Sequence, residues 1–304
     1  MKEVKGKNTK NVETKIKEIE KQVEKKRVEL EKLRKRKCYL FFGEITRSIV
    51  EDVFDDLRNK YTDCNGKLDV VVNSGGGDID AAFNLSMLFR RFGNKELIFI
   101  IPRWAKSAAT LMVCGGDKLI MTPIAELGPL DPQIIEINPI ERRLEQFSPL
   151  HIESTLNLIR DEFKKGNKEL ANKLIERLQF PLTLGSFLKS IEIGEQYLIR
   201  LLSSRILKNN IKQAKEIADR FTKGYADHGF CITVDEAKEM GLQVEELAGR
   251  ELDIIWDIFR LYDKKRKLEK KIRKEEMLEM IKELPPELLE VLPKELKNVK
   301  GGKR

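Results

Sequence analysis

The chain has 304 residues, enough for a sizeable core in one large domain with extensions or in two domains. Its 41 % hydrophobic content and the lack of any apolar run of about 18 residues point to a folded body and exclude a membrane-spanning helix. The net charge of +8 sits at the ends, with 15 Lys/Arg against 7 Asp/Glu in residues 1–37 and 14 against 8 in residues 264–304, so the middle is acidic. No aromatic residue interleaves with the terminal charges, which argues against a nucleic-acid partner.

The first residues are lysine-rich with no apolar stretch behind them, so no secretory signal is expected. Cys38, Cys64, Cys114 and Cys231 are widely spaced, which suits free thiols better than a disulfide frame or a zinc site. Together these features lead to an expected cytoplasmic residence, no metal and no cofactor. Basic ends leave peripheral contact with an acidic membrane surface open.

Residues 1–37 carry Val12, Ile16, Ile19, Val23, Leu30 and Leu33 at alternating steps of four and three, with Lys26 at the one polar position of the seam. That spacing predicts an N-terminal coiled-coil arm, joining protomers or recruiting a partner; a helix packed on its own body has the same pattern. Cys38 to Glu44 reads as a first core strand, and Ile49, Val50, Val53, Phe54 and Leu57 as the apolar face of a helix. Lys67 to Val72 is a second, β-branched strand. Asn73-Ser74-Gly75-Gly76-Gly77-Asp78 follows it and leads into a helix with Ala81, Ala82, Leu85, Leu88, Phe89 and Phe92 at helical spacing. Three consecutive glycines permit unusual backbone angles and a close approach to a ligand.

Leu97 to Ile101 is a third strand, ended by Pro102. Lys106-Ser107-Ala108-Ala109-Thr110 then opens a short apolar run that stops at Gly115-Gly116. A strand feeding a helix through a short turn places the first helical residues at the carboxyl edge of the sheet, where ligands bind in α/β proteins. Ser107 at that point can cap the helix or act as a nucleophile. A hydroxyl beside preorganised N–H donors from a glycine turn is what acyl transfer needs, because the tetrahedral intermediate carries its charge on oxygen. Lys118 to Thr122 is a further strand, and strands alternating with helices predict parallel βαβ-type units.

Glu126 to Gln133 holds two titratable groups, Glu126 and Asp131, the latter in an Asp-Pro turn that could equally be structural. Ser154 to Lys223 is expected to be helical, interrupted at Phe180-Pro181-Leu182. The two histidines are His151, which looks like a capping or surface residue, and His228, in a turn between helices. Thr233 with Glu236 forms a capping box for a helix from Val234 to Met240, which Gly241 ends. Leu252, Ile255, Trp256 and Phe259 make an apolar stripe ahead of Lys264-Lys265-Arg266-Lys267, a helix expected to dock on the body or a neighbour, although an interfacial membrane helix has the same appearance. The organisation expected is an arm at 1–37, a body at 38–248 and a basic helical tail at 249–304.

The NSGGGD turn, the KSAAT turn, the segment AELGPLDPQ, Asp227-His228-Gly229-Phe230, Asp235-Glu236-Ala237 and Gly241-Leu242 together resemble the Clp-fold serine peptidases. The branch they resemble is serine dehydrogenase proteinase (SDH), related to signal peptide peptidase A, over roughly Cys38 to Glu246. The family pattern usually has Pro where Gly75 stands, while Gly76 and Gly77 are kept. The resemblance implies a ClpP/crotonase-like α/β superhelix with a helical C-terminal part, and peptide-bond hydrolysis with Ser107 as nucleophile. It also implies an oxyanion hole from the N–H of Gly76 or Gly77 and of Ala108, a peptide or protein substrate, and a homo-oligomer.

The general base stays open in the sequence. Glu126 to Gln133 falls where such peptidases usually place a catalytic histidine, and none is there; Asp131 could orient a base. His228 is the favoured base, since imidazole titrates near working pH. A Ser–Lys dyad through Lys164, Lys165 or Lys168 is the alternative, whereas Lys106, adjacent to Ser107 in the chain, has a side chain that diverges from it. No GxxxxGK[ST] phosphate loop is present, so the activity expected is an ATP-independent serine endopeptidase. Two other readings remain: a crotonase-like acyl-CoA enzyme, which would leave the KSAAT hydroxyl idle, and a catalytically silent assembly protein.

Overall fold

The computed structural model describes residues 2–130, 134–137, 144–147, 149–176, 184–225 and 227–283. These residues fall into two compact units, one built from residues 31–252 and the other from the two chain ends, up to Leu30 and from Asp253 onward.

The larger unit is organised on a five-stranded, fully parallel sheet in the order β1-β2-β3-β5-β9, made of β1 (Lys37–Phe42), β2 (Lys67–Asn73), β3 (Glu96–Ile101), β5 (Lys118–Met121) and β9 (Val244–Glu246). Helix α2 (Arg47–Lys60) joins β1 to β2, and α3 (Ile79–Phe92) joins β2 to β3. Their starts follow capping chemistry: Thr46 accepts the N–H of Ile49, and Asp78 accepts that of Ala81. Strand β2 is buried along almost its whole length, as a strand inside a parallel sheet is, and its buried run includes the charged Asp69. The core runs from Phe41 and Val70 through Phe89, Phe99 and Met112 to Leu201 and Phe221.

Beside the sheet runs a second layer of short pairings. Strand β4 (Trp104–Ala105) pairs in parallel with β6 (Glu126–Leu127), and single bridges join Ser74 to Ala105, Ile45 to Gly77 and Leu127 to Ile232. These pairings have no periodicity in sequence, because two residues cannot display one. Helix α4 (Ala108–Val113) lies between β4 and β5, and an antiparallel hairpin, β7 (Ile134–Ile137) and β8 (Leu144–Phe147), follows β6. The helices α5 (Pro149–Lys164), α6 (Lys168–Glu176), α7 (Leu184–Ser204) and α8 (Ile211–Lys223) come next. The break expected at 180–182 lies outside the described residues. Thr233 accepts the N–H of Glu236 and caps α9 (Val234–Glu239), and Gly241 follows at a φ of +88°.

A buried ion cluster sits under the start of the sheet. Asp69 on β2 is fully buried and faces Arg34, whose guanidinium also reaches Glu251. Arg36 places Nε 2.7 Å from Asp69 Oδ1, at an angle that makes it an ion pair without a hydrogen bond. Such a charge is tolerated inside only because its partners are equally fixed.

The smaller unit contains most of α1 (Lys2–Arg34) and of α10 (Gly249–Glu283). Lys26 pairs with Asp257 at 2.8 Å and Lys265 with Glu20 at 2.7 Å, so the two helices run antiparallel. Val12, Ile19, Val23 and Leu30 of the heptad stripe are buried, as are Ile255, Ile258 and Phe259. Within this chain the amphipathic helix at the N-terminus packs on the chain's own C-terminal helix.

Candidate active site

The KSAAT turn and the glycine turn meet because β2 and β3 are hydrogen-bonded neighbours whose carboxyl ends both continue into the second layer. The N–H of Ser74 donates to Trp104 O and the N–H of Lys106 donates to Ser74 O, each at 3.0 Å. The buried Ser74 side chain then accepts the N–H of Gly76 at 3.1 Å. Gly76 adopts a φ of +107°, and a Cβ built there would lie 2.8 Å from Lys106 O, 2.9 Å from Ser107 Cβ and 3.2 Å from Ala108 N. The glycine bend thus touches the serine turn with no room for a side chain between them. Gly77, at a φ of +142°, packs on Ile45, which donates to Gly76 O and accepts from the N–H of Asp78.

Ser107 precedes α4 with φ +50° and ψ −124°, a backbone conformation that residues with a Cβ resist. Its side chain makes no capping hydrogen bond. Of the two roles open to it in the sequence, capping is therefore the one it does not perform. The residue is half-buried, and the helix after it is fully buried, from Ala108 to Val113. Among the described residues, the N–H groups of Gly77 and Ala108 have no hydrogen-bond acceptor, whereas that of Gly76 is taken by Ser74.

Thr110, buried one helical turn on, holds the next wall of the site. Its hydroxyl lies 2.6 Å from Ala105 O and 2.9 Å from Gly128 O, and it accepts the N–H of Gly128 at 3.1 Å. Glu126 sits between Arg103 (2.5 Å) and Lys106 (2.9 Å). Burial would push its carboxyl up, but hydrogen bonds from Lys106, Arg103 and Cys231 outweigh that and hold it down at about 2. The segment 227–232 closes over this group: Leu127 and Ile232 exchange backbone bonds at 2.9 and 3.1 Å, and Lys106 Nζ reaches Phe230 O at 3.0 Å. His228 lies in that segment, half-exposed, with Nδ1 shielded from solvent and without a hydrogen-bond partner among the described residues.

The structure thus brings Ser107, Ala108, Gly76 and Gly77 into one place and sets the His228 segment against Lys106, next in the chain to Ser107. Asp131 lies outside the described residues; its predecessor Leu130 is anchored by its N–H to Phe221 O on α8. Lys164, Lys165 and Lys168 are all exposed at the end of α5 and the start of α6. Lys165 is bonded to Glu162, which raises its pKa, the wrong direction for a base. The roles of Ser74 and Thr110 escaped the sequence reading, since a buried serine or threonine carries no local signal of its partner. No group of three or more His, Cys, Asp or Glu residues able to hold a metal occurs among the described residues, and no helix among them is long and apolar enough to cross a membrane.

Residues 5–182 match the model of a family described as ClpP-like SDH-type serine proteinase. The chain belongs to this family. It is accordingly a member of a serine proteinase family, with a ClpP-like α/β fold. Two relatives from Methanocaldococcus jannaschii, both described as uncharacterized proteins, are similar to it. MJ1495 is 27 % identical over 214 residues, covering 70 % of this chain and 63 % of the relative. MJ0137 is 25 % identical over 195 residues, covering 64 % and 58 %. The chain therefore spans about three fifths of the length of the curated relatives it matches. Among solved structures, a serine-to-alanine mutant of the 1510-N membrane-bound stomatin-specific protease aligns at 16 % identity and a TM-score of 0.44, covering 68 % of this chain and 77 % of that one. ClpP1 from Listeria monocytogenes aligns at 17 % identity and a TM-score of 0.39, covering 69 % and 92 %.

Proposed function

We propose that the chain is an ATP-independent serine endopeptidase whose nucleophile is Ser107. The observation that carries this reading is the strained, uncapped backbone of Ser107 (φ +50°, ψ −124°) pressed against the glycine bend at Gly76. Strain of this kind persists only where the surroundings impose it, and it aims the hydroxyl away from the helix it precedes. The N–H groups of Gly77 and Ala108 supply the oxyanion hole; Gly76 shapes the bend, since its own N–H is committed to Ser74. His228 takes the proton from Ser107, and Asp131 orients the imidazole, whose Nδ1 has no hydrogen-bond partner among the described residues. Support for this pair comes from position: Leu130, next to Asp131, is pinned to α8, and the chain leaving α8 leads to His228. The lysine alternatives lose ground because Lys164, Lys165 and Lys168 lie exposed and Lys165 is paired with Glu162.

The ATP-independent part of the proposal rests on the absence of a phosphate loop from this sequence. Self-association is supported by Leu158, Phe163, Leu170, Ile175 and Ile193, large apolar side chains exposed on α5, α6 and α7. The substrate proposed is a peptide or protein. Incubating the full chain with a fluorophosphonate and locating the adduct by mass spectrometry tests the reading. Modification of Ser107, abolished in Ser107→Ala and strongly slowed in His228→Ala, is the expected result. A folded chain that takes no label at Ser107 would refute it.

A further inference from the structure

We propose that Lys106 is a positioning residue for the Ser107 reaction: it clamps the segment carrying His228 onto the turn carrying the nucleophile. The inference rests on the reading of Ser107 as nucleophile and adds a residue to it. Lys106 touches three segments at once. Its backbone N–H donates to Ser74 O at 3.0 Å, fixing it to the glycine stretch. Its stem crosses Gly128, where a Cβ would come within 2.6 Å of Lys106 Cδ and 3.3 Å of its Cα. Its Nζ ends within reach of Leu127 O at 3.1 Å, Phe230 O at 3.0 Å and Glu126 Oε2 at 2.9 Å.

The ammonium donates to two backbone carbonyls and pairs with the Glu126 carboxylate as an ion. A side chain so committed on three segments acts by holding them together. What it supplies is geometry. Residues 227–230 form a tight turn of their own, with the Asp227 carboxylate accepting the N–H of Gly229 at 2.7 Å and Asp227 O accepting that of Phe230 at 3.1 Å. The turn is tied to the body just after His228, by the Lys106 bond to Phe230 O, two residues on, and by the Leu127–Ile232 bridge, four residues on. Removing the ammonium frees the Phe230 end, while Glu126 keeps its Arg103 partner. The imidazole would then sample positions away from Ser107.

The test is the kinetics of fluorophosphonate labelling on the full chain, separating the inactivation rate from probe binding. In Lys106→Met the inactivation rate should fall about tenfold or more with probe binding within about twofold of wild type, since misplacement by an ångström costs chemistry before binding. Lys106→Arg, which keeps the charge and the donors, should recover part of the loss. The Lys106→Met/Glu126→Gln double variant should label no more slowly than Lys106→Met alone, because both act through one clamp. If Lys106→Met does not fold, Glu126→Gln alone should lower the inactivation rate with binding unchanged. A variant that labels at the wild-type rate, or loses probe binding alone, overturns the clamp and leaves Ser107 as nucleophile intact. A wild-type chain without label at Ser107 removes the underlying reading instead.

Discussion

Replacing Ser107 by glycine and, separately, by alanine tests the strain at the proposed nucleophile. At φ +50° and ψ −124° a Cβ crowds its own backbone, at a cost of about 1–3 kcal/mol. Alanine keeps the Cβ and hence the strain. Glycine removes it and gives back about 0.5–1 kcal/mol through the larger entropy of its unfolded chain. Ser107→Gly should therefore be more stable than Ser107→Ala by about 1–2 kcal/mol, the reverse of the order these residues have inside a helix. The half-buried Trp104 lies three residues away, and the other tryptophan, Trp256, belongs to α10. Urea unfolding followed by fluorescence in a Trp256→Phe background would report the larger unit alone, which matters because two compact units need not unfold together. Equal stability of the two variants, or a more stable alanine, would show that the turn is unstrained and that the argument from its backbone is wrong.

At Gly77→Ala the added methyl would land on the Ile45 carbonyl oxygen in a backbone conformation that alanine resists, so a loss of about 3 kcal/mol or more, read as a lower urea midpoint, is expected. Glu126 has its folded pKa lowered from 4.5 to about 2, so it stabilises the fold above its unfolded value and loses that contribution as pH falls from about 5 towards 2. Glu126→Gln should accordingly flatten the acid limb of stability against pH over that window, by about 1–2 kcal/mol after allowing for the solvent that reaches the pair. An unchanged acid limb in that variant would mean the Lys106 and Arg103 pairings contribute nothing to folding.

Much of the architecture is legible along the chain because it follows from local rules. Strands β1, β2, β3 and β5 are largely apolar runs at turn-bounded intervals, and Pro102 and the Gly115-Gly116 pair end their elements by backbone geometry alone. The two unusual turns announced themselves by composition, and the family pattern joined them. Strands β4 and β6 were not legible, since a two-residue pairing is decided by what lies opposite it. The same holds for β9, whose Val244-Glu245-Glu246 shows no apolar pattern yet completes the sheet beside β5.

The site divides in the same way. By its sequence alone this protein had to place a hydroxyl at the mouth of a helix and three glycines after a neighbouring strand, because strand, turn and helix signals are properties of consecutive residues. Only the tertiary structure decided that Gly76 leaves no space beside Ser107, that Ser74 occupies the N–H of Gly76, and that Lys106 turns from its neighbour towards Phe230, more than a hundred residues away. It also decided that the N-terminal heptads meet the chain's own C-terminal helix. An amphipathic face specifies that it must be covered and leaves the covering surface to the fold, for burial of apolar area is without direction.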